Sequence, residues 1–144
     1  MNQSILDPEL AQIEADISTA IDHCADGEDR KAALLLDKCN QKLRLLSVGA
    51  HRLEALGLWA LSLGVSEEWE QALLKYEQIL SIDPANEDAL WQSAQIILRQ
   101  LENPESARKL LTERLLPINR LPEYVDALRE CEAALGIERG KSQA

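Results

Sequence analysis

The chain has 144 residues, 46% of them apolar and 28% charged, with a formal charge of −10. A domain of this length buries roughly two-thirds of the surface that its unfolded form exposes, so it needs neither metal nor disulfide to fold. The acid excess argues against a phosphate-binding surface for nucleic acid, and no run of roughly eighteen apolar residues marks a membrane span.

Leucine (26) and alanine (18) outweigh three valines and two threonines, and there is no phenylalanine, a mix that favours helix and starves a sheet. Start and stop residues recur regularly and predict seven helices. Asp7 followed by Pro8 opens the first, with Leu10, Ile13, Ile17 and Ile21 as its apolar stripe, and Asp26 with Gly27 ends it. The second runs from about Asp29 to Leu46. The third carries Leu53, Leu56, Trp59, Ala60 and Leu63 and is expected to stop at Gly64, with Ser66 opening the fourth. That fourth helix lines up Trp69, Ala72, Leu73, Tyr76, Ile79 and Leu80 before Asp83 and Pro84 break it. Asn86 caps the fifth, Asn103 with Pro104 the sixth, and Pro122 starts the seventh, whose stripe of Tyr124, Leu128, Cys131 and Leu135 ends at Gly136. One domain over 1–136 and a flexible tail over 137–144 follow.

Loops this short force consecutive helices to lie antiparallel, giving helical hairpins. Pro84 and Pro117 lie 33 residues apart, and DPANEDALW echoes LPINRLPEY, a period that marks stacked hairpins. Leu56, Ala60, Ala72, Tyr76 and Pro84 fall in the order of large, small, alanine, aromatic and proline found in tetratricopeptide repeats, which the chain resembles. Leu90, Ala94, Ala107 and Pro117 repeat the pattern, with Ser93 where the family prefers leucine. The resemblance implies an all-α, right-handed superhelix of three antiparallel hairpins plus a capping helix from Pro122, whose polar side carries Glu123, Asp126, Arg129 and Glu130.

Members of this family hold a peptide or protein segment in a concave groove lined by the first helix of each hairpin. Matched residue by residue, the resemblance implies a groove of Glu54, Gly57 and Leu61, then Asp88, Trp91, Gln92, Gln95 and Arg99, then Tyr124 and Leu128. Trp91, Gln95 and Arg99 recur at i, i+4 and i+8, an aromatic beside an amide and a cation on one helix face. Such a row either anchors a guest chain or is taken up between hairpins. The basic clamp with which some co-chaperones of the family hold an acidic peptide tail has no counterpart at Gly57, Leu61, Trp91 and Gln95. Acidic residues at Glu67, Glu68, Glu70, Glu87 and Asp88 suit steering a basic partner instead.

His23, Cys24, Asp22 and Cys39 match no zinc-ligand spacing, and His51 has no partner arrangement for nucleophilic catalysis. Neither a phosphate loop nor a dinucleotide fingerprint is present. The expectation is a non-enzymatic scaffold or adaptor without metal or cofactor, binding a basic or apolar protein segment and inserting into no membrane. Small acidic chaperones of type III secretion share this layout and offer a second reading. A self-associating module, a homodimer through exposed ends, is the third. An amino terminus without a basic-then-apolar pattern, and three cysteines without a Cys-x-x-Cys pair, predict a cytoplasmic protein with free thiols.

Overall fold

The computed structural model describes residues 7–137. Among them are seven helices and no strand: α1 (Pro8–Ala25), α2 (Asp29–Leu46), α3 (Arg52–Val65), α4 (Trp69–Ile82), α5 (Glu87–Gln95), α6 (Pro104–Leu110) and α7 (Pro122–Ala134). The protein is therefore all-α, its helices packed in adjacent pairs. α5 and α6 each continue into a wider turn, over Ile96–Gln100 and Leu111–Leu115, closed by the Leu101 N–H to the Ile96 carbonyl and the Leu116 N–H to the Leu111 carbonyl. No described helix is long and apolar enough to cross a membrane. The start of the expected 1–136 domain, and the expected tail beyond Ile137, lie outside the described residues.

The expected caps close by local hydrogen bonds. The Asp7 carboxylate accepts from the Glu9 N–H at 2.8 Å, the Asn86 side chain from the Ala89 N–H at 2.9 Å, and the Asn103 side chain from the Ser106 N–H at 3.2 Å. Each satisfies one of the N–H groups that a helix start leaves without a partner. At the other ends Gly27 and Gly136 take φ of +78° and +76°, and the next residue bonds back: the Glu28 N–H to His23 and the Ile137 N–H to Glu132, both at 2.7 Å.

α3 departs from expectation. It runs through Gly64 to Val65, and the left-handed residue after it is Glu67, at φ +61°, from which the Glu68 N–H reaches back to the Leu63 carbonyl at 2.9 Å. Ser66 thus ends α3 rather than opening α4, which begins at Trp69. Gly64 serves packing instead of termination: a Cβ there would lie 3.2 Å from Cζ3 of Trp69, so the missing side chain makes room for the indole.

The chain divides into two compact units, one ending at Gln78 and one beginning at Ile79. In the first, Leu10, Ile13 and Ile17 of α1 meet Leu36, Cys39 and Leu43 of α2 and Ala55 of α3 in one core, with Trp59 and Val65 partly buried against it. α2 is pinned to α3 by the Ser62 hydroxyl, which donates to Asn40 Oδ1 at 2.7 Å. In the second, α6 packs against both α5 and α7. Leu90, Ala94, Ala107, Leu111, Leu115, Leu128 and Cys131 are buried there. The residues that carry the repeat pattern in the preceding hairpin, Leu56, Ala60, Ala72 and Tyr76, are buried as well.

Candidate functional site

The face of α5 expected to receive a partner is organised by a row at every fourth residue, Glu87, Trp91, Gln95 and Arg99, which stacks one turn upon the next. Glu87, in the first turn, accepts two hydrogen bonds at Oε2: from the Tyr124 hydroxyl of α7 at 2.6 Å and from Asn119 Nδ2 at 3.0 Å. Burial, and then the hydrogen bond to Glu87, push the Tyr124 phenol up to about 12. One turn on, the Trp91 ring lies against Tyr124, centroids 4.8 Å apart and planes tilted by 46°. Two turns further, Arg99 donates to Gln95 Oε1 at 3.2 Å and to Glu130 Oε1 of α7 at 3.1 Å. The row therefore closes a seam between α5 and α7.

This places the expected groove residues differently from one another. Tyr124 is 4% exposed and, with its hydroxyl committed to Glu87, belongs to the seam rather than to a partner surface. Gln95 and Arg99 are engaged with each other, and Arg99 with Glu130 as well. Trp91 is half-buried, one face toward Tyr124. Asp88 stands exposed beside it and Gln92 partly exposed, neither holding a side-chain hydrogen bond among the described residues. Glu54 and Leu61 are exposed on α3, in the other unit. The acidic residues Glu67, Glu68 and Glu70 are exposed, whereas Glu87 is used internally. Sequence reasoning missed Glu87, Asn119 and Glu130 as partners. The available signal was Tyr124: a phenol on an apolar stripe needs an acceptor, and an acid near the start of a facing helix provides one.

His23 bonds to no cysteine. Its Nδ1 meets Glu28 Oε1 at 3.0 Å, and Lys31 Nζ meets Glu28 Oε2 at 2.9 Å. Lys31 first, and His23 second, hold the Glu28 carboxyl below the usual carboxylate range. Cys24 is exposed, while burial raises the thiols of Cys39 and Cys131 and keeps them protonated. Among the described residues no three His, Cys, Asp or Glu converge as a metal cage would need. With this geometry in place, comparison with family models, curated proteins and solved structures gave no match.

Proposed function

We propose that the chain is a non-enzymatic protein-interaction module of tetratricopeptide type, acting in the cytoplasm, which holds a segment of a partner protein against α5. One observation carries the reading: Trp91 is an indole with one face fixed by Tyr124, itself fixed by Glu87, and with polar side chains still unengaged at Asp88 and Gln92. A rigid aromatic that has already given up its rotamer freedom loses little on binding, which makes it a good anchor. Asp88 and Gln92 supply an acceptor and an amide for the main chain or basic side chains of an extended segment. Gln95, Arg99 and Tyr124 position this ledge rather than touch the guest.

Peptides selected by display against the full chain test this. Trp91→Ala is expected to weaken them by about tenfold or more, the loss typical of an aromatic anchor, with helix content unchanged. Selected peptides that bind Trp91→Ala as well as the parent would overturn the reading.

Self-association has an observation of its own. Leu34, Leu45 and Val48 are 66%, 74% and 84% exposed on α2 and the residues just after it, spaced to share one face. Light scattering at micromolar concentration reads this directly: a dimer that Leu45→Lys abolishes supports it, and a monomer removes it.

A further inference from the structure

The first unit also holds an open cavity of about 400 Å³ between α2, α3 and α4, lined among others by Asp37, Arg44, Glu68 and Lys75. Trp59 meets Lys75, and Gly64 meets Trp69, so α3 and α4 run antiparallel. α2 and α3 are likewise antiparallel, Asn40 meeting Ser62 and Leu43 sharing a core with Ala55. α2 and α4 are then parallel walls. Each wall carries an acid and a base seven residues later, Asp37 and Arg44 on α2, and Glu68, just before α4, and Lys75 on it. Seven residues are about 10 Å of helix rise. The cavity is therefore acidic at one end and basic at the other.

Among the described residues none of these four side chains has an ion-pair partner. Lys75 Nζ is instead held 3.8 Å from the centroid of the Trp59 ring. Arg44 lines the same cavity, neither cation is paired with a carboxylate among the described residues, and burial, then the field of Arg44, lower the Lys75 pKa. Such an arrangement lacks an anion and is already positioned to take one. At mid-cavity Asn40 Oδ1 accepts from the Ser62 hydroxyl, which leaves its Nδ2 to donate.

We propose that this cavity binds a short zwitterionic peptide, its carboxylate between Arg44 and Lys75, its ammonium at Asp37 and Glu68, and a backbone carbonyl on Asn40 Nδ2. An extended chain of about three residues spans the same 10 Å. The acidic end repels a second negative charge, which separates this ligand from a phosphate or a dicarboxylate. The proposal uses none of the α5 residues and stands apart from the reading of Trp91.

The test follows the Trp59 indole N–H resonance of the full chain, assigned by its loss in Trp59→Phe, during titration with triglycine, N-acetyl-triglycine and triglycine amide. Triglycine is expected to shift it saturably in the millimolar range. Removing either terminal charge, or making Lys75→Met or Arg44→Met, is expected to weaken binding by about fivefold or more, while Lys31→Met changes nothing. Asp37→Asn, on an exposed helix face, should erase the preference for triglycine over its acetylated form. No saturable shift, equal affinity for the three ligands, or full binding by a folded Lys75→Met chain would each overturn the proposal. So would an unchanged preference in Asp37→Asn.

Discussion

Ser93 is 1% exposed and its hydroxyl has no hydrogen-bond partner among the described residues. A buried polar atom left without a partner costs about 1–3 kcal/mol relative to one that is satisfied, whereas alanine at this position leaves nothing unsatisfied and suits a helix better. Ser93→Ala is therefore expected to raise the unfolding free energy by about 1 kcal/mol in a urea titration. Tyr124 makes the opposite kind of contribution. Its folded pKa, about 12, lies above the ordinary tyrosine value, so the folded state retains a proton that the unfolded state releases. The stability it lends is fully present below about pH 10 and is lost as pH rises toward 12. Denaturation at stepped alkaline pH should show a steeper decline for the parent than for Tyr124→Phe. Superimposable slopes would mean that neither burial nor the bond to Glu87 raises the phenol in the folded state.

Helix beginnings were legible where a side chain caps them, because capping is local chemistry, and the start of α4, expected at Ser66, was not. Asp7, Asn86 and Asn103 each bond an N–H two or three residues away, and nothing distant has to be known to expect it. Helix ends were legible where glycine takes the left-handed position, at Gly27 and Gly136, and also at Leu46 of α2 and before Asp83 and Pro84, where α4 stops at Ile82. At α3 the glycine in view, Gly64, accommodates Trp69, and a glutamate three residues later takes the strained turn. Side-chain crowding in that conformation predicts that Glu67→Gly stabilises the chain by about 0.5–1 kcal/mol, measurable as a raised denaturant midpoint with unchanged slope. The wide turns after α5 and α6 left no mark in the sequence, since the i+5 bonds of Leu101 and Leu116 depend on packing rather than on residue type. The candidate site was half legible for the same reason. Trp91 could be placed on a face by counting, but its contact with Tyr124, the Tyr124 bond to Glu87 and the Arg99 link to Glu130 each join residues more than thirty positions apart. Glu130 read as a solvating residue because a charge on an outer stripe looks the same whether or not it is paired.

Across the described residues, the composition that disfavours sheet and membrane span is realised as seven helices in two units, with an indole ledge on α5 in one and a cavity with opposed charges in the other. In the proposed role the acid excess would suit basic segments of a partner, and the row along α5 would set where that partner lies. Amide resonance mapping of the isotope-labelled full chain, titrated with a display-selected peptide, tests this most directly. The account predicts the largest perturbations at residues 88–95 and at the Trp91 indole, with α7 responding only where Tyr124 backs the ring. Perturbations confined to residues outside α5, with the Trp91 indole unmoved at saturation, would contradict it.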